Sequence, residues 1–275
     1  MNTHQLTFGS LFSGIGGIDL GLERAGMKPI WMCEIEPYAR KVLNKHWPNI
    51  LIYEDIRKID ETVKQPDVLC GGFPCQDVSC AGKRAGLNEG TRTGLWFEFA
   101  RVIRSLRPRY ALLENVPGLL SLGFGRVLGD LAEIGYDAEW QVLSAAQFGA
   151  QHLRRRLFIV AYPQSEQNWG IFKSKLVTNT GAKSQSIKIP HPQGIRLNNG
   201  ADSIGVYSTQ NCKGIPMDTG VWLNTEPNVG RMVNGVPNRV DRLRCLGNAV
   251  VPQIAEYIGK LIIKHSQSKN KEVMF

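Results

Sequence analysis

The sequence predicts an α/β fold: a doubly wound, mainly parallel sheet with helices on both faces, plus a small irregular second unit. Three observations carry this. Short apolar runs alternate with helix-like periodicity through residues 1–162. A glycine-rich turn joins the first apolar run to the first helical pattern. The texture then changes: residues 163–235 hold 9 Gly, 8 Asn and 6 Ser, and apolar periodicity fades until Asn238. The expected units are one domain of residues 1–162 with 236–275, and a second of residues 163–235.

Each element has its own local reason. Residues 6–12 read as the first strand, and residues 18–25 as a helix closed by Gly26. Residues 29–33 form a second strand, and Pro37 suits the first position of the next helix. Residues 51–53 and 67–70 are short strands, and residues 94–106 are helical. The run 110–113 is a strand leading into Glu114. Val127, Leu128, Leu131 and Ile134 line one helix face. Residues 137–143 and 157–161 complete the strands. Pro252, Ile254, Ile258, Leu261 and Ile262 make a last helical stripe, and a basic tail with Lys264, Lys269 and Lys271 is expected to fray.

Composition narrows the class. Among 275 residues, 33 Lys+Arg stand against 24 Asp+Glu, a net charge of +9, which suits either simple solubility or a polyanionic partner. No apolar run reaches the length of a membrane span, and the N-terminus has no basic region followed by an apolar stretch, so a cytoplasmic protein is expected. Cys33, Cys70, Cys75, Cys80, Cys212 and Cys245 form no C-x-x-C pair, and no metal site is expected.

The chemistry-bearing residues fall at predicted strand ends, where ligands of such sheets sit. Phe12-Ser-Gly14-Ile-Gly16-Gly17 follows the first strand and opens a helix, as a backbone turn approaching a ligand would. Glu34 ends the second strand and Asp55 the third, so a nucleoside-like ligand could use both carboxylates. Cys75 follows Gly-Gly-Phe-Pro after the fourth strand and is a candidate nucleophile, whereas Cys70 reads as core. Glu114 ends an apolar strand. A carboxyl there is at least partly buried, needs a partner, and can have a raised pKa suited to acid catalysis.

With these residues in view, the chain resembles the DNA cytosine-5 methyltransferases, and so a Rossmann-like class I methyltransferase domain. Phe12 to Gly17 resembles the family's cofactor loop. Glu34-Ile35 and Asp55-Ile56 match its ribose- and adenine-contacting positions. Gly72-Phe-Pro74-Cys75-Gln is similar to its nucleophile motif, and Glu114-Asn-Val to its glutamate motif. Arg154-Arg-Arg156 resembles its paired-arginine motif, and Gly247-Asn248-Ala-Val250 its last motif. His152 stands where the family commonly has Gln, Gln151 where Pro is frequent, and residues 238–243 match the family only loosely.

The resemblance implies an S-adenosylmethionine-dependent enzyme that releases S-adenosylhomocysteine. Cys75, Glu114, Arg154 and Arg156 would form the catalytic set. Phe12, Gly14, Gly16, Gly17, Glu34, Ile35, Asp55, Ile56, Pro74, Leu95, Asn248 and Val250 would contact the cofactor. Gln76, Ser79, Lys83, Arg84, Arg92 and Arg231 would contact double-stranded DNA, with Trp169, Trp222, Lys173 and Lys175 as further candidates. Residues 163–235 would be the target-recognition domain. The resemblance also implies base flipping, a monomer, and either an orphan or phage-borne enzyme or a restriction–modification partner whose endonuclease acts separately.

Three other readings remain: a tRNA cytosine methyltransferase, a non-catalytic DNA-binding relative, and a dinucleotide oxidoreductase. The second would be expected to lose Cys75 or Glu114. The third would want G-x-G-x-x-G, which the loop lacks.

Overall fold

A computed structural model describes residues 5–74, 95–165, 171–173 and 239–272. Seven strands form one sheet: β1 (Thr7–Leu11), β2 (Lys28–Cys33), β3 (Leu51–Tyr53), β4 (Val68–Gly72), β5 (Tyr110–Asn115), β6 (Tyr136–Ser144) and β7 (Arg155–Pro163). Their spatial order is β3-β2-β1-β4-β5-β7-β6. The pairs β1–β2, β2–β3, β1–β4 and β4–β5 are parallel, while β7 runs antiparallel to both of its neighbours. The order reverses between β1 and β4, so the ligand crevice of such a sheet lies beyond their C-terminal ends.

Among the described residues, six α-helices accompany the sheet: α1 (Gly17–Ala25), α2 (Pro37–His46), α3 (Leu95–Leu106), α4 (Phe124–Ile134), α5 (Arg239–Asn248) and α6 (Pro252–Glu272). Trp96, Phe99, Ile103 and Leu106 recur at helical spacing on α3. With Val127 and Leu131 of α4, they cover the sheet face made by Leu69, Leu113 and Ile159. Ile18 and Leu22 of α1, with Ile254 and Ile258 of α6, cover the opposite face made by Phe8, Cys70, Leu112 and Val160. Covered on both sides, β4 and β5 read as continuous apolar runs rather than alternating ones.

One expectation changes. The C-terminal segment is no frayed tail, because α6 continues through Lys264 to Glu272. Its Lys, Gln and Glu residues are good helix formers, and the apolar stripe anchors the helix ahead of them. Ile171 and Phe172 are buried in the same core as α1 and α6. The Phe172 amide donates to Glu139 Oε2 on β6 at 3.4 Å. No helix among the described residues is long and apolar enough to cross a membrane.

Candidate active site

The turn after β1 begins with Phe12 at φ 52 and carries Gly14 at φ 57 and Gly16 at φ 83. Glycine enters this left-handed region without the Cβ penalty, which explains two of the loop's glycines. Gly17 answers a different need. A Cβ there would stand 2.4 Å from the Val250 carbonyl oxygen, so α1 begins in backbone contact with the turn preceding α6.

Glu34 follows β2 and is buried. Its Oε2 accepts from the Gly14 amide at 2.6 Å, and its Oε1 accepts from the Glu36 amide at 2.8 Å. The carboxylate is thus fixed at the loop with lone pairs to spare for a ligand hydroxyl. Beside it the Ile35 side chain is 61% exposed, an apolar surface at a polar strand end. Asp55 caps the short turn of residues 56–58 by accepting from the Arg57 amide, and it pairs with the exposed Arg57 guanidinium at 2.7 Å. That pairing holds its carboxyl below the ordinary range. Ile56, the first residue of that turn, is buried in the core. A fixed carboxylate, an exposed apolar side chain and a second carboxylate at the neighbouring strand end fit a ribose-bearing adenosyl group. Leu95 opens α3 and is partly buried against the aromatic cluster, Phe12 lies 6.3 Å from Phe99 ring to ring, and Asn248 ends α5 with an exposed side chain.

The second half of the site lies at the ends of β4 and β5. Gly72 pairs with Glu114 across the ladder, and Glu114 is buried. Because β7 runs antiparallel, its first residues lie at the same edge as the last residues of β5. This reversal brings Arg156 to Glu114, with Nε to Oε1 at 2.9 Å. Burial pushes the Glu114 carboxyl up to about 7, and the positive charges of Arg156 and Arg154 only partly offset it. Near neutral pH the group is therefore present in both its protonated and its ionised form. Asn115 orders the neighbouring loop: its Nδ2 donates to the Phe73 carbonyl at 3.1 Å and its Oδ1 accepts from the Val116 amide at 2.8 Å.

Arg154 sits just before β7 at φ 27, and its Nη2 donates to the carbonyls of Gly247 at 2.7 Å and Ala249 at 2.6 Å. Pro74 is the last residue described before the nucleophile candidate. Cys75, Gln76, Ser79, Cys80, Lys83, Arg84, Arg92, Trp169, Lys175, Cys212, Trp222 and Arg231 lie outside the described residues. Cys33 and Cys70 are buried, and burial raises both thiols, to about 12 for Cys33, so neither is a competing nucleophile.

Two residues had escaped sequence reasoning. Gly72 is the first: a Cβ there would lie 2.4 Å from Glu114 Oε2, so the bare glycine leaves room for the carboxylate. Gly72→Ala is expected to fold with a near-unchanged urea midpoint, because the displaced atom ends a movable side chain. The displaced carboxylate loses its pairing with Arg156, and kcat should fall about 100-fold. A midpoint shift large enough to explain the lost activity would refute this.

Asp19, in the first turn of α1, is the second. It is fully buried, and neither carboxyl oxygen has a hydrogen-bond partner among the described residues. Burial pushes it up to about 7. The folded state therefore holds a proton that the unfolded chain releases near pH 4. Stability from this group is full below pH 4 and is lost as pH rises to about 7. Asp19→Asn should stabilise the fold by ~2–4 kcal/mol at pH 8. It should also flatten the pH 4–7 slope in urea unfolding; an unchanged slope would show that the carboxyl is solvated.

A glycine turn and a fixed carboxylate at a topological switch point, beside a buried Glu–Arg pair, define a nucleoside-binding α/β enzyme class. Within that class the particular family follows from comparison. The family of C-5 cytosine-specific DNA methylases matches residues 6–211, and the chain belongs to it. It is 39% identical over 160 residues to the type II methyltransferase M2.BsuMI of Bacillus subtilis, covering 55% of this chain and 41% of that one. It is 43% identical over 159 residues to M.Eco47II of Escherichia coli, covering 55% and 38%. The matches to these two thus span about two fifths of the curated relatives' length. Among solved structures, a putative DNA modification methyltransferase encoded within an E. coli prophage superposes with a TM-score of 0.50 at 26% identity, covering 58% of this chain and 47% of that one. The Dnmt2 methyltransferase of S. pombe does so with 0.51 at 22%, covering 63% and 57%, a likeness of fold.

Proposed function

We propose that the chain is an S-adenosylmethionine-dependent DNA cytosine-5 methyltransferase. The observation that carries this is the buried Glu114–Arg156 pair, set at one sheet edge with the Glu34-anchored loop and opposite the Gly72 that leads to Cys75. Membership of the cytosine-specific family supports the reading.

Phe12, Gly14, Gly16, Gly17, Glu34, Ile35, Asp55, Ile56, Pro74, Leu95, Asn248 and Val250 would hold the cofactor. When bound, S-adenosylmethionine supplies an electrophilic methyl carbon on a sulfonium, and cytosine C5 takes it. The chain's own residues must make C5 nucleophilic. The Cys75 thiolate adds to C6 of the ring, the C5–C6 π electrons shift toward N3, and Glu114 donates its proton to N3. The product of this addition is an enamine whose nucleophilic carbon is C5. After methyl transfer Glu114 recovers its proton from N3; a solvent water then takes the C5 proton, and the C5–H electron pair forms the C5–C6 double bond as the thiolate leaves C6. Arg156 keeps Glu114 aimed at the base and limits the upward shift of its pKa.

None of this reaches a base inside a duplex, so the cytosine leaves the stack, at a cost of a few kcal/mol. Gln76, Ser79, Lys83, Arg84, Arg92 and Arg231 serve as DNA contacts, and residues 163–235 serve target recognition. The net charge of +9 suits a phosphate-rich partner. Likeness to type II methyltransferases supports a restriction–modification role with an endonuclease acting separately. A reducing cytoplasm would keep Cys75 a thiol, and a monomer suffices for the chemistry.

The test offers labelled S-adenosylmethionine with unmethylated duplex DNA of varied sequence, and in parallel with tRNA. Label in the duplex is the expected result. Label in tRNA alone would replace DNA by RNA as substrate, and label in neither would overturn the reading.

A further inference from the structure

The two arginines before and within β7 divide their contacts. Arg156 spends its Nε on Glu114. Arg154 spends its Nη2 on two backbone carbonyls, Gly247 at 2.7 Å and Ala249 at 2.6 Å, across 93 and 95 residues of chain. Those carbonyls belong to the end of α5 and the turn after it. Helix ends leave carbonyls without intrahelical donors, and there the helix dipole favours a cation. Arg154 Nε is buried and has no hydrogen-bond partner among the described residues, where the guanidinium's hydrogen bonds are the two from Nη2. Its backbone adopts φ 27, a conformation that L residues rarely hold.

The turn so held is the one that touches the cofactor side of the site. Ala249 is anchored from within by its amide, which donates to the Cys245 carbonyl at 3.0 Å. One residue on, the Val250 carbonyl abuts Gly17 at the start of α1, at a spacing that leaves no room for a Cβ. At the other end, the Arg154 charge acts on Glu114. Arg154 thus holds the 247–250 turn that abuts the glycine loop, and its charge reaches the base-side carboxyl.

We propose that Arg154 is a positioning residue: it clamps the 247–250 turn against Gly17 and so holds the cofactor loop in register with the Glu114 pocket, without itself holding the base. This rests on the reading of residues 12–17 as the cofactor loop. Its consequence is that loss of Arg154 weakens cofactor binding in the absence of any DNA, while Glu114 keeps Arg156 and its own titration.

The experiment compares wild type, Arg154→Met and Arg154→Lys. It reads amide hydrogen exchange at Ala249, affinity for S-adenosylhomocysteine without DNA, and the pH profile of methyl transfer. In Arg154→Met, Ala249 should exchange about tenfold faster or more, and affinity should fall by a similar factor. The break assigned to Glu114 should persist but move upward, because the lowering charge of Arg154 is gone while Arg156 remains. Arg154→Lys should restore most of both losses, because one ammonium can donate to both carbonyls. Unchanged exchange at Ala249 in Arg154→Met would overturn the clamp. So would losses confined to kcat and to the KM for DNA, which a base contact would produce. The exchange measurement judges the clamp even if wild type binds no S-adenosylhomocysteine, in which case the cofactor reading fails on its own.

Discussion

Cys75→Ala is expected to abolish methyl transfer while leaving the urea midpoint within ~0.5 kcal/mol of wild type. Cytosine C5 is not nucleophilic enough to take a methyl group without prior addition at C6. Alanine has no electron pair to add. Cys33 and Cys70 are buried, with burial holding both thiols protonated. Cys75→Ser should fare little better, since a hydroxyl ionises far less readily than a thiol of pKa about 8.5. Affinity for S-adenosylhomocysteine should survive, because the Glu34-anchored loop is independent of the thiol. Residual transfer by Cys75→Ala within tenfold of wild type would remove covalent addition from the account.

Glu114→Gln is expected to lower kcat by about 10²–10⁴-fold. Glutamine keeps the shape and can still hydrogen-bond the base, but it has no proton to give to N3. The pH profile separates this from a structural defect. In wild type the thiolate fraction of Cys75 rises with pH, so the rate climbs below pH 7. Glu114 loses its proton as pH passes about 7, and that loss offsets further thiolate gain, so the profile levels there. In Glu114→Gln the levelling should vanish, and the residual rate should climb until the thiol itself is ionised. A retained break at pH 7 would assign it to another group.

Much of this arrangement was legible in the sequence because period carries it. All seven strands and five of the six helices stand where apolar runs and helical stripes put them, within a few residues at the ends. The strand-end positions of Glu34, Asp55 and Glu114 followed from the same patterns. What period does not encode is direction. Nothing in residues 155–163 says that this strand runs against its neighbours, yet that reversal puts Arg156 on Glu114. Nor does a sequence reveal a contact such as Arg154 to Gly247, whose partners are 93 residues apart. Asp19 was hidden for another reason. An acid in the first turn of a helix looks like an exposed dipole partner, and only packing against the sheet shows it to be buried.

The most direct measurement is nucleoside analysis of duplex DNA after incubation with labelled S-adenosylmethionine, using wild type and Cys75→Ala side by side. The account predicts label in 5-methylcytosine for wild type and none for the variant. Label on an exocyclic nitrogen of cytosine or adenine, or equal 5-methylcytosine from both proteins, would contradict it.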